Sequence, residues 1–262
     1  MNIGFIGAGN MGGALAQGVA QVSETKVYIY DKITEKADAL ALAIGGKSTT
    51  FEELVSTSDF VFLGVKPNVI EEVAKEVGKA AKLNTVIVSM AAGVKIEKIE
   101  AALSRPLPII RIMPNTPVAV GEGLTAYAKS SLVSNENVSA FEHIMQFTGA
   151  TEPLDESEID SFCAIAGCGP AYAYMFIEAL AIGADKCGLS RERAIKYASK
   201  LMRGAGLMAL ETNIDPKILC KNVCSPGGAT IEGVKVLESR EFGDAVSSAI
   251  EAAFKRTKEL GK

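Results

Sequence analysis

The chain carries a single histidine, and its five cysteines (163, 168, 187, 220 and 224) include no CxxC pair. That scarcity excludes a zinc site of the usual ligand set, which draws three or four donors from Cys and His. The thiols read as reduced and partly buried. Cys224 borders a glycine loop but is not assigned a nucleophile's role. Charge of one sign is also scarce. Twenty-seven basic and 31 acidic residues leave a net charge of −4, with the basic ones scattered. Neither nucleic acid nor an anionic membrane finds a patch to bind. The longest apolar stretch, Phe162 to Ile177, is broken by Gly167, Gly169 and Pro170 and ends at Glu178. It reads as too short and too interrupted to span a bilayer. The N-terminus enters a strand-like segment at once, without a basic leader, so no signal peptide is read and the cytoplasm is the expected compartment. There is no internal repeat and no low-complexity linker.

What is present is apolar residue in quantity, 48% of 262, enough for a large core and two modest domains. The first half alternates strand-like and helix-like segments. Strands are expected at 2–6, 26–30, 60–65, 85–90, 109–113 and 124–128. Helices are expected at 11–21, 34–44, 67–81 and 95–102, with capping-box spacing at Thr50 to Glu53 for one more. Continuous apolar strands separated by helices indicate a parallel sheet covered on both faces. After about Pro153 the strand signal stops. Helices then start near Ser157, run from Pro170 to Lys186, from Ser190 to Thr212, from Asp215-Pro216, and from residue 241 or 242 toward Leu260. The 170–186 helix is apolar nearly all round, which predicts a dimer made through the C-terminal half.

Gly7-Ala8-Gly9-Asn10-Met11-Gly12 satisfies GxGxxG between a strand ending at Ile6 and a helix, the context that binds a dinucleotide pyrophosphate. Asp31 follows about twenty residues on, at the end of the next strand. It reads either as an acceptor for both ribose hydroxyls, favouring NADH, or as a turn residue; Lys32 beside it is a counter-argument, able to pair a 2′-phosphate. Gly64-Val65-Lys66-Pro67 and Ala91-Ala92-Gly93 fall at strand carboxyl ends, where such sheets bind ligands. Lys66 either touches the pyrophosphate or ribose or is a solvated helix-start lysine. In Arg111-Ile112-Met113-Pro114-Asn115-Thr116-Pro117 two prolines fix a rigid segment. Asn115 is there for a nicotinamide or substrate group, or for a turn.

Far along the chain, Cys224-Ser225-Pro226-Gly227-Gly228-Ala229-Thr230 leads into a helix. Such a loop exposes backbone N–H groups where a small carboxylate or phosphate can sit. The N–H groups of Gly228, Ala229 and Thr230 are its candidate donors, Asn222 and Ser225 order the loop, and Thr230 is either a catalytic hydroxyl or a plain N-cap.

Taken in order, GAGNMG, the VKP of 65–67, the MPNTP of 113–117, the GPAY of 169–172 and SPGGATIEGVKVLE resemble the pyrroline-5-carboxylate reductases along essentially the whole length. The resemblance implies a Rossmann-type, doubly wound α/β domain over 1–154 and an all-α helical domain over 155–262. The second domain would bind substrate and dimerise, sometimes assembling into decamers. It implies reduction of the ring imine of 1-pyrroline-5-carboxylate to L-proline with NADPH or NADH. In this chain Ala166-Gly167-Cys168-Gly169 stands where members often carry Ser-Gly-Ser-Gly, which favours a packing role there. Asp31 stands where NADPH-preferring members tend to have a small polar residue.

The residues suit that reaction. Ketone reduction needs an acid for the developing alkoxide, and the one histidine, His143, lies remote from every glycine loop. An imine can arrive protonated, so alignment and a grip on the carboxylate suffice. The Thr230 hydroxyl would contact the ring nitrogen, with catalysis where the two domains meet. Rival readings are a β-hydroxyacid dehydrogenase, a general imine reductase, and a non-catalytic nucleotide sensor. The first expects a lysine on the first long helix of the second domain, and 171–184 has none.

Overall fold

The computed structural model describes residues 1–260. Its elements in chain order begin with β1 (Asn2–Ile6), α1 (Asn10–Val19), β2 (Lys26–Tyr30), α2 (Thr34–Ile44), β3 (Lys47–Ser48) and α3 (Phe51–Thr57). They continue with β4 (Phe60–Leu63), α4 (Ile70–Ala80), β5 (Val86–Ser89), α5 (Ile96–Ala102), β6 (Ile109–Met113), β7 (Gly123–Lys129), α6 (Asn135–Met145) and β8 (Gly149–Pro153). From there all is helical: α7 (Ile159–Phe162), a π-turn (Cys163–Gly167), α8 (Gly169–Lys186), α9 (Arg191–Thr212), α10 (Pro216–Val223), α11 (Ala229–Ser239) and α12 (Phe242–Leu260).

The strands form one eight-stranded sheet in the order β3-β2-β1-β4-β5-β6-β7-β8. β1, β4, β5 and β6 are nearly wholly buried apolar runs. They separate two cores, one built on Phe5, Leu15, Phe62, Ile110 and Phe141, the other on Leu54, Val61, Ile70, Ile87 and Ile99. Burial on both faces is what a parallel sheet clothed by helices requires.

The sheet is not wholly parallel, as the sequence reading had it. β7 runs antiparallel to β6, and β8 pairs parallel with β7. The link from β6 to β7 contains only a 3-10 turn at Thr116–Val120, too short for a helical crossover, so the chain folds straight back. β3 and β8 were not expected from the sequence. β3 has two residues, and β8 is mostly exposed, without an apolar run.

The helix starts follow local chemistry. The Thr50 hydroxyl accepts from Glu53 N–H at 3.2 Å, but the capping box is incomplete because the Glu53 carboxylate turns to Lys47 and Thr49. Asp155 with Glu158, rather than Ser157, opens the C-terminal helical run through a complete box. Ser190 occupies the N-cap of α9 without a side-chain cap bond, whereas Asp215 caps α10 through Lys217 N–H at 2.7 Å.

The chain divides into two compact units, Met1–Cys168 with the segment from Ala253 onward, and Gly169–Ala252. The expected division at 154/155 lies just after β8; the units part later because Ile159 and Ala164 are buried in the first. The helical run Glu156–Lys186 spans 31 residues, long and apolar enough by length and composition to cross a membrane. The stretch 162–177, read as too short and too interrupted for a bilayer, lies inside this run. Gly167, Gly169 and Pro170 do not end the helix; a π-turn and the start of α8 absorb them.

Candidate functional site

In the first unit the chain leaves β1 at Ile6, and the neighbours of β1 are β2 and β4, so strand order reverses there. This is the topological switch point, the crevice where such sheets take ligands. Gly7 has φ +106° and a Cβ there would lie 2.5 Å from the Gly64 carbonyl oxygen. Only glycine lets the ends of β1 and β4 approach this closely. Gly7 N–H donates to Tyr30 O and Gly64 N–H to Ile6 O, both at 2.8 Å, which ties the three strand ends together. α1 then begins at an exposed Asn10 with Gly9 at its N-cap, without a side-chain cap and without an acid in its first turn. Its first N–H groups and positive dipole end are open to an anion.

Asp31 lies beside this loop at the end of β2. Its Oδ2 accepts from Ala8 N–H at 2.8 Å and its Oδ1 from Ile33 N–H at 2.9 Å. Each oxygen keeps a second lone pair, so the turn role and a ribose role are compatible. Next to it opens a cavity of about 570 Å³ lined by Tyr30, Asp31, Thr34, Ser48, Thr50 and Phe51 among others. The sequence did not reveal this cavity, because two of its walls come from the two-residue β3 and the turn after it. Along the same edge, Gly64 and Val65 are half-buried, Lys66 and Pro67 are exposed, and Ala92 is half-buried in the loop after β5. These residues and the glycine loop Ile6 to Met11 are brought together within one unit.

Asn115 behaves differently from its proposed use at the nicotinamide. It is buried, its Oδ1 accepts from Leu124 N–H at 2.9 Å, and its Nδ2 donates to Ala166 O at 3.0 Å. Both ends of the amide hold protein, leaving one N–H over. Arg111, in the middle of β6, is 2% exposed. It donates to Glu156 at 3.0 Å and lies 3.6 Å from Asp160, while Glu156 also accepts from Ile96 N–H at 2.7 Å. A charged residue inside an apolar strand was the available signal for this clasp.

In the second unit, α10 ends at Val223 and α11 begins at Ala229, and the turn between them is closed by Gly228 N–H to Ser225 O at 3.0 Å. Gly227 has φ +72° with open space around it, and a Cβ on Gly228 would crowd Ser225 Oγ at 2.5 Å and the Ser225 carbonyl oxygen at 3.1 Å, so backbone conformation favours the first glycine and close approach the second. This corrects the expected donor set. The Gly228 N–H closes the turn, and the N–H groups without an intrahelical acceptor are those of Ala229, Thr230 and Ile231. Gly228, not Thr230, is the N-cap, and it makes no side-chain cap bond. Thr230 is exposed in the first turn of α11, and its hydroxyl bonds to no described protein group. Asn222 and Ser225 are exposed on either side of Cys224, whose thiol is pushed up by burial and by Cys220 beside it. His143 is exposed on α6, as expected.

Residues 156–260 match the family model for pyrroline-5-carboxylate reductase dimerisation. Residues 2–93 match the model for NADP oxidoreductase, coenzyme F420-dependent. The pyrroline-5-carboxylate reductase of Escherichia coli K12 is 36% identical over 264 residues, taking in 99% of this chain and 98% of the relative. The chain belongs to the pyrroline-5-carboxylate reductase family. Human pyrroline-5-carboxylate reductase 2 is 39% identical over 268 residues, covering 99% of this chain and 84% of that one. The crystal structure of Plasmodium falciparum pyrroline carboxylate reductase with NADP bound superposes with a TM-score of 0.89 at 31% identity, over 100% of this chain and 98% of that one. Membership bears out the resemblance read from the five motifs, along with the fold class. Within the pyrroline-5-carboxylate reductases this chain is an NAD(P)-dependent oxidoreductase.

Proposed function

We propose that the enzyme reduces the ring imine of 1-pyrroline-5-carboxylate to L-proline, the last step of proline biosynthesis, gripping the substrate carboxylate with the loop 225–230. The observation that carries this is the Pro-Gly-Gly turn, closed by Gly228 N–H on Ser225 O, that opens α11 with a glycine N-cap, paired in one chain with the glycine-capped, dinucleotide-type start at α1. The residues around Gly7 fit a dinucleotide, because the strand ends meet only when Cβ is absent. The α1 N–H groups would hold the pyrophosphate, with Val65, Lys66, Pro67 and Ala92 along the edge and Asp31 at the adenosine ribose. When bound, NAD(P)H supplies the hydride. The protein's own task is alignment and charge. Ala229, Thr230 and Ile231 N–H groups and the α11 dipole hold the carboxylate, Gly227, Gly228 and Ser225 shape the turn, and Asn222 flanks it. The Thr230 hydroxyl faces the ring nitrogen. A protonated imine that receives hydride becomes the neutral secondary amine, so no dedicated general acid is needed.

The test is oxidation of NAD(P)H dependent on pyrroline-5-carboxylate. Thr230→Ala should lower kcat/KM about 10- to 100-fold, the value of a hydrogen bond to a charged group. Unchanged kinetics in that variant would remove Thr230 from the site. Cofactor binding without turnover of this imine would overturn the proposed grip on the substrate.

We further propose that NADH is preferred. The Asp31 carboxylate, beside the glycine loop at the end of β2, would lie at the ribose and repel a 2′-phosphate. The expected preference in kcat/KM is on the order of tenfold, about 1.4 kcal/mol, and Asp31→Ser should shrink it. Equal efficiency with NADPH would refute the argument. The assembly proposed is a homodimer through the helical unit, in the cytoplasm, a reducing compartment that suits five free thiols.

A further inference from the structure

We propose that Cys163 and Cys168 form a dithiol site, created by the π-turn, that closes to an intramolecular disulfide with small-molecule disulfides. In a regular α-helix residues five apart have Cα atoms roughly 8–9 Å apart and on diverging faces. A disulfide needs about 4.4–6.8 Å, so the spacing in sequence argues against a bridge. The π-turn changes this. Cys168 N–H donates to Cys163 O at 2.9 Å, the i→i+5 bond that defines a π-turn. The five-residue ring lays one cysteine over the other on a single face.

Three neighbours show that the pairing is built. The Asn115 amide reaches across from the strand-end MPNTP segment and holds Ala166 O, inside the turn, at 3.0 Å. A Cβ on Gly167 would lie 3.2 Å from Cys163 Sγ, so the sulfur lies over the residue just before Cys168. Thr257 Oγ1 of α12 stands 3.9 Å from the same sulfur. The Cys163 thiol is pushed up by burial; Thr257 pulls it the other way and Cys168 beside it adds to the rise. Both cysteines are half-buried rather than sealed. The exchange balances in two steps. One thiolate attacks a small disulfide, releasing one thiol and leaving a mixed disulfide. The second cysteine then displaces the other half, so two protein thiols lose two electrons and two protons and the reagent becomes two thiols.

The native full-length protein is incubated with oxidised glutathione, blocked with N-ethylmaleimide and digested with trypsin, which places these cysteines alone on the peptide 130–186. The expected product is that peptide lighter by two hydrogens, with no maleimide and no glutathione, restored by dithiothreitol. In Cys168→Ser the remaining thiol should instead retain glutathione or take up maleimide. Closure should be slower in guanidinium, where the π-turn is gone. Two maleimides on the native peptide, or closure as fast in guanidinium as in buffer, would overturn the proposal.

Discussion

At the scale of single residues, the charged groups that shape this molecule work by position more than by number. Asp59 accepts from Asn2 N–H and from Lys82 Nζ, both at 2.9 Å, tying the first strand to the loops after α3 and α4. Burial alone would raise its carboxyl, but these two bonds outweigh it and hold it below its usual 3.8. A depressed acid stabilises the fold fully above its unfolded pKa, and that stability is lost as pH falls through the folded value. Asp59→Asn should therefore cost on the order of 1 kcal/mol near neutral pH, a modest figure because the pair with Lys82 is half exposed. Urea midpoints of the two proteins should converge as pH drops below about 3.8. A gap that stays constant down the series would mean that ionisation of Asp59 is not what stabilises. Arg111 works similarly from deeper inside. Its guanidinium holds Glu156, which in turn caps Ile96, so one buried cation joins β6, α5 and the start of the helical run.

At the scale of elements, the sequence was most legible where one physical demand acts alone. β2, α2 and β6 lie where periodicity and apolar runs placed them. The glycine loops were legible because backbone conformation and close approach leave glycine little competition. β3 and β8 were not, since pairing with a neighbour makes them strands and nothing in their own residues does. The reversal of β7 was written in the shortness of 114–122 rather than in the strand, and it was missed. The π-turn is the extreme case. No residue pattern announces it, yet it keeps a helix continuous through Gly167, Gly169 and Pro170, and it gives Asn115 a carbonyl to hold. At the C-terminal glycine loop the proposed donor set shifts by one residue. Proline and paired glycines promised an anion loop, but closing the turn takes the Gly228 N–H, so the open N–H groups begin at Ala229.

At the scale of the molecule, the second unit poses a problem that one chain does not solve. Between 169 and 252 the fully buried apolar side chains are alanines: Ala181, Ala194 and Ala198. The large ones stand in the open, with Met175 at 72%, Leu210 at 71% and Tyr174 at 60% exposure. Alanine lets helices such as α8 and α9 approach closely, but it supplies little burial energy. Covering four of the larger side chains would return about 6–12 kcal/mol gross, against an association cost of comparable size. A second copy of the same unit is the partner that the matched dimerisation model points to. It would also give the long apolar run a protein surface to meet rather than lipid. If the dimer holds this unit together, the midpoint of thermal unfolding must rise with protein concentration, because folding and association are then one equilibrium. The expected mass by light scattering at micromolar concentration is at least twice 27.5 kDa. Met175→Glu combined with Leu210→Glu should shift the protein toward monomer and lower the midpoint. A monomer whose midpoint is the same at all concentrations would show that these faces serve something other than a second copy of this chain.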